Sequence, residues 1–250
     1  MKKKSFMKAL LAITAVLFLF GCAAKEPAGL PSFSAKQFDA SMYQSKVDNF
    51  VIILDASSSM DEDFMGNPKF MIGKAIAERM NMTIPELGQT AGLRTFGHAD
   101  SISKNETELF YGMERYNSAA LAEKLGAISE AGGYSAFGSA MAAMGTDLES
   151  LPGKTAVIII SDGLDMGPDT AQAQAVKEQY GDAICFYPIQ VSNAEEGTAF
   201  LSEIASIGGC AGLINAEELM DAGAIAAFVE KILIEEAPPA PAPVVAAPMD

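Results

Sequence analysis

The stretch Phe50-Val51-Ile52-Ile53-Leu54-Asp55-Ala56-Ser57-Ser58-Ser59 sets five apolar residues directly before a carboxylate and three serines. A run with no polar face, β-branched at Val51, Ile52 and Ile53, suits a strand covered on both sides. Residues 156–160, Ala-Val-Ile-Ile-Ile, repeat the pattern and end in Ser161 and Asp162. Helical periodicity lies between and beyond these runs. Ile72, Ile76 and Met80 recur at four-residue spacing from about Lys69, with Pro85 past the end. Strands are predicted at 92–96 and 108–114, the second more polar and suited to a sheet edge. Asn117 and Ser118 can cap a helix through about 132, and another helix covers about 136–151. A helix at 169–180, a strand at 183–191, a helix at 197–207, a short strand near 212–214 and a helix at 222–235 follow. Such alternation predicts an α/β fold: a doubly wound, mostly parallel, Rossmann-like sheet flanked by helices, with one antiparallel edge strand.

In open sheets of this kind, ligands bind off the carboxyl ends of the strands, where the strand order reverses. Asp55 and Asp162 would stand side by side there if their strands are neighbours. Around them are the hydroxyls of Ser57 and Ser59, and of Ser135 in Gly132-Gly133-Tyr134-Ser135. Carboxylate and hydroxyl oxygens without His or Cys form a hard donor set, which fits Mg²⁺, Mn²⁺ or Ca²⁺ and disfavours Zn²⁺ and copper. The plainer alternative is that Asp55, Ser57 and Ser59 only cap the following helix. Asp61, Glu62 and Asp63 read as a solvated acidic loop rather than a second cation site.

The pattern D-x-S-x-S after an apolar strand resembles the metal-ion-dependent adhesion site of von Willebrand factor type A domains, matched here by Asp55, Ser57 and Ser59. That family continues with a threonine in a Gly-rich turn, followed five residues later by a small residue opening a helix. Ser135 and Ala140 keep the spacing, with serine in place of threonine and without the methyl group that restricts its rotamer. Its last element, an acid then glycine after a buried strand, is matched by Asp162-Gly163. The resemblance covers about residues 48–235 and implies a metal held by Asp55, Ser57, Ser59, Ser135 and Asp162, with Mg²⁺ first. It also implies a protein partner, whose Asp or Glu completes the coordination. The chemistry agrees, because a cation met mostly by neutral hydroxyls keeps positive charge and an open position.

At the amino end, Lys2, Lys3, Lys4 and Lys8 precede an apolar run over 9–20, the layout of a secretory signal at 1–21. About a dozen apolar residues fall short of the roughly 20 that span a bilayer. Leu19-Phe20-Gly21-Cys22 resembles the lipobox of bacterial lipoproteins, which implies an acylated Cys22 and a stable membrane anchor. A plain signal peptide or an uncleaved tether are the alternatives. Ala23 after the cysteine implies the outer membrane, with the domain in the periplasm of the cell envelope. Residues 22–47 read as a flexible tether of ~25–30 Å span, 48–236 as the domain, and 237–250 as an Ala/Pro-rich linker. Signal, domain and linker together resemble the N-terminal part of envelope proteins that carry a C-terminal OmpA-like, peptidoglycan-binding domain, which residues 1–250 do not contain. Loss of residues 1–21, with four lysines and no acid, takes the formal charge from −15 to −19. A surface this acidic repels phosphates and argues against nucleic acid.

Two other functions compete. One is a structural envelope tether in which the metal only stabilises the fold. The other is a serine hydrolase using Ser135 and the lone His98, but Gly133-Tyr134-Ser135-Ala136-Phe137 lacks the second glycine of a G-x-S-x-G elbow, and His98 precedes the serine. His98 itself reads as a structural or solvated surface-loop residue. Neither a phosphate loop nor a dinucleotide fingerprint is present, so the expectation is a binding module and not an enzyme. Besides Cys22, only Cys185 and Cys210 remain. A disulfide between them suits the periplasm, and two buried thiols are the alternative. Pro188 in the 183–191 strand points to a bulge or a nearby edge.

Overall fold

The computed structural model describes residues 30–164 and 170–238. In chain order the elements are β1 (Tyr43–Ser45), β2 (Asn49–Asp55), β3 (Asp63–Phe64), β4 (Asn67–Pro68), α1 (Lys69–Thr83), β5 (Thr90–Phe96) and β6 (Thr107–Arg115). They continue with α2 (Ser118–Ala127), α3 (Phe137–Leu148), β7 (Thr155–Ser161), α4 (Ala171–Tyr180), β8 (Ile184–Gln190), α5 (Glu195–Gly208), β9 (Ile214–Asn215), α6 (Ala222–Ile232) and β10 (Ile234–Glu236). Six strands form the central sheet in the order β6-β5-β2-β7-β8-β9. All neighbours are parallel except β5 and β6, so the polar 107–115 strand is the antiparallel edge.

The apolar runs take the centre because only there are both faces covered. Every residue of β2 and of β7 is buried. Alternation of side chains then divides the core into two halves. Phe50, Ile52 and Leu54 pack with the apolar residues of α1, α2 and α6. Val51 and Ile53 face the other way, against α3, α4 and α5. From β2 the chain builds outward through β5 and β6 on one side, and later from β7 through β8 and β9 on the other. The order therefore reverses between β2 and β7, where Leu54 is in register with Ile160. Asp55 and Asp162 leave the sheet at that point.

Several expectations are corrected. The stretch 22–47 does not continue as a free tether to Val47. From Leu30 onward, Leu30, Phe33, Phe38, Tyr43 and Val47 pack on the core, and β1 pairs with β10. That pairing also ends α6 at Ile232 instead of continuing it to 235. Helix α2 keeps its Asn117 cap, which accepts from the Ala120 N–H at 2.9 Å, but stops at Ala127. Beyond it the chain joins the strand ends: Gly132 N–H donates to Ala56 O, Gly133 N–H to Gly97 O, and Ser58 N–H to Gly133 O. Strand β9 pairs with β8 at Ile189 and Gln190, and among the described residues most of that side of β8, Pro188 included, has no strand partner. A disulfide joins Cys185 to Cys210, with Cα atoms 5.6 Å apart. Residues 1–21, Cys22 and 239–250 lie outside the described residues. No helix among the described residues is long and apolar enough to cross a membrane.

Candidate functional site

The crevice at the carboxyl ends of β2 and β7 gathers both acids and all three serines singled out above. Asp55 is completely buried. Its Oδ1 accepts the Ser57 N–H at 2.8 Å and its Oδ2 accepts the Ser161 hydroxyl at 2.6 Å. Burial pushes its carboxyl up to about 7. Hydrogen bonds from Ser161 and Ser57 pull it back, and the charge of Asp162 pushes it further up. The hydroxyls of Ser57 and Ser59 lie 3.3 Å apart. Ser59 donates to Asp162 Oδ1 at 3.2 Å, and the Leu164 N–H donates to the same oxygen at 3.0 Å. Ser135 enters from the loop before α3 and donates to the Leu164 carbonyl at 3.3 Å, so it faces the Asp162 loop.

Backbone packing holds Asp162 in place. Gly163 has φ +74, a left-handed conformation that glycine adopts without strain. Opposite it is Gly197 of α5, where an added Cβ would stand 2.0 Å from the Asp162 carbonyl. Ser192 donates to that carbonyl at 3.1 Å.

Sequence reasoning missed Lys69. Its ammonium is 3.0 Å from Asp162 Oδ2, 2.6 Å from Glu62 Oε2 and 3.2 Å from the Ser59 carbonyl. Burial alone would push its pKa down, but hydrogen bonds and charge from Glu62 and Asp162 more than offset this, and the pKa rises. The one available signal was a lysine opening a helix, where the dipole disfavours a cation. Ser161 was missed as well, and is the hydroxyl nearest Asp55 in hydrogen-bond distance. Of the acids 61–63, all exposed, Glu62 is paired with Lys69 rather than merely solvated.

The donor set fits a hard divalent cation. Two fully buried carboxylates stand within one network of hydroxyls, and the hydrogen bonds to the Asp55 oxygens come from neutral donors, so a cation there would relieve a charge held out of water. Among the described residues no cluster of three or more His, Cys, Asp or Glu is suited to a metal, so any ion here would depend on serine hydroxyls as well as the two acids.

His98 is not a surface-loop residue. It is 4% exposed, its Nδ1 lies 2.8 Å from the Thr95 hydroxyl, and its ring meets Phe110 edge-on. Burial pushes its pKa down. Beside the crevice, a cavity of about 840 Å³ is lined by residues that include Lys104, Ser139, Tyr134 and Ser135. Tyr134 is 94% exposed.

No protein-family model matches the sequence, and no curated protein does. Solved structures do match the fold. An aerotolerance-related membrane protein from Bacteroides fragilis, carrying multiple mutations to serines, superposes with TM-score 0.54 at 19% identity, over 73% of this chain and 97% of that one. A von Willebrand factor type A protein from Catenulispora acidiphila gives 0.54 at 18% identity, over 75% of this chain and 45% of that one. The SpRpn10 VWA domain gives 0.51 at 12% identity, over 74% and 94%.

Proposed function

On a chain with the von Willebrand factor type A fold, we propose a metal-dependent protein-binding module in which Asp55, Ser57, Ser59, Ser135 and Asp162 hold one divalent cation, Mg²⁺ first and Mn²⁺ or Ca²⁺ as alternatives. When bound, the cation supplies a Lewis-acidic open position for the side-chain carboxylate of a partner protein. The observation that carries this reading is the pair of fully buried acids at the reversal of strand order, set in a network of hydroxyls. Ser57 and Ser59 contribute neutral oxygens, so they coordinate without cancelling the ion's charge. Asp55, braced by Ser57 N–H and the Ser161 hydroxyl, balances part of that charge and fixes the base of the site. Exposed Tyr134, next to Ser135, offers an aromatic surface to whatever docks there.

This function needs no catalytic base. A hydrolase would need a base turned toward its serine, whereas His98 bonds to Thr95 and Ser135 donates to Leu164. The cell-envelope setting belongs to the same proposal: export by residues 1–21, an outer-membrane anchor at acylated Cys22, and a periplasmic domain, with peptidoglycan reached only through a longer parent chain.

Capture of proteins from an envelope extract tests the function. Binding should be lost in EDTA, restored by Mg²⁺, and absent for Asp55→Ala. Capture indifferent to EDTA would sink it. A melting temperature raised by Mg²⁺, without metal-dependent capture, would favour the structural tether instead.

A further inference from the structure

Lys69 occupies a position where a lysine needs a reason. It opens α1, at the end of a helix where the dipole repels cations, and its side chain is only 6% exposed. The chain is shaped to put it there. Strands β3 and β4 pair through a turn at Met65 and Gly66, both with positive φ, and the Lys69 N–H donates to the Glu62 carbonyl at 2.9 Å. This folds the 62–69 segment back on itself and brings the ammonium against the crevice.

The two oxygens of Asp162 are thereby divided. Oδ1 accepts from Ser59 and Leu164, whereas Oδ2 accepts from the ammonium. We propose that Lys69 is an internal competitor for Asp162, a cation of the protein's own that sets how tightly the site holds a divalent metal. This rests on the metal-site reading above. With both carboxylates ionised, the buried ammonium leaves an incoming ion a net charge of −1 instead of −2, and the ammonium repels that ion at close range where screening is weak. Glu62, with its side chain 64% exposed, is the ammonium's second seat. It lies on the solvent side, where the ammonium would lean if Asp162 were engaged by a bound cation.

Calorimetric titration of MnCl₂ into the folded domain decides the matter, using wild type, Lys69→Gln and Glu62→Gln. Gln keeps a donor for Asp162 while removing the charge. Lys69→Gln should bind Mn²⁺ more tightly by about tenfold or more. Glu62→Gln removes the second seat and should weaken binding by roughly threefold. That variant changes an exposed residue, so it keeps the test intact if Lys69→Gln fails to fold. Asp63→Asn, which removes a neighbouring exposed charge that makes no ion pair with Lys69, should weaken binding less than Glu62→Gln. A Lys69→Gln affinity equal to or below that of wild type overturns the proposal. So does equal weakening by Glu62→Gln and Asp63→Asn, or none by Glu62→Gln. Mn²⁺ binding absent from wild type and every variant would instead remove the metal-site reading itself, and this proposal with it.

Discussion

Asp55→Asn separates the charge of the site from its shape. In the metal-free domain the Asp55 carboxyl is fully buried and pushed up from 3.8 to about 7. A group whose folded pKa exceeds its unfolded one favours the protonated fold. Its contribution is complete below the unfolded value, declines as pH rises, and is gone once pH passes the folded value. That rise, at 1.36 kcal/mol for each pH unit, corresponds to about 4 kcal/mol lost between pH 4 and pH 8. For a domain of this size that is on the order of 10 °C in melting temperature. Asparagine cannot ionise, keeps a carbonyl for the Ser57 N–H, and can turn its amide toward the Ser161 hydroxyl. Thermal melts followed by circular dichroism in EDTA, from pH 4.5 to 8, should show the wild type losing stability relative to Asp55→Asn as pH rises. At pH 8, Mg²⁺ should restore the wild type and leave the variant unchanged. Parallel pH profiles for the two proteins would contradict a buried, ionising Asp55, as would equal stabilisation of both by Mg²⁺.

Three further perturbations address separate parts of the molecule. Gly197→Ala places a Cβ about where the Asp162 carbonyl stands, so it should weaken Mn²⁺ binding by about tenfold or more and lower the melting temperature. Unchanged Mn²⁺ affinity would show that the α5 contact does not position Asp162. Replacing Cys185 and Cys210 by serine opens a link between residues 25 apart and should cost about 3 kcal/mol in urea unfolding; a midpoint matching the oxidised wild type would contradict this. Tyr134→Ala removes a ring that is exposed while both acids are buried, and should reduce metal-dependent capture by about fivefold or more with Mn²⁺ affinity unchanged. Equal capture by variant and wild type would take Tyr134 out of the docking surface.

The central strands were readable because β2 and β7 are buried on both faces and carry continuous apolar runs. The placement of Asp55 and Asp162 at strand ends was readable for the same reason, since Asp55 directly follows one such run and Asp162 follows the other after Ser161. Other features depend on partners distant in the chain. Tyr43–Ser45 has no strand pattern of its own and becomes β1 only through Ile234–Glu236. The β3–β4 hairpin has two residues per strand, too few for any periodicity. Helix α2 is shorter than its sequence suggests because Gly132 and Gly133, beyond Ala127, are held by backbone bonds to Ala56 and Gly97, which no local propensity reveals. Lys69 was missed because its acid lies 93 residues further on, and a lone lysine gives no sign of which charge it will meet.

Anomalous diffraction at the manganese edge, from crystals grown with MnCl₂, is the decisive test of the proposed metal site. One strong peak is expected within the crevice, touching the Ser57 and Ser59 hydroxyls and flanked by Asp55, Asp162 and Ser135. A crevice without manganese at millimolar concentration, or a peak only on the exposed acids at 61–63, would contradict it.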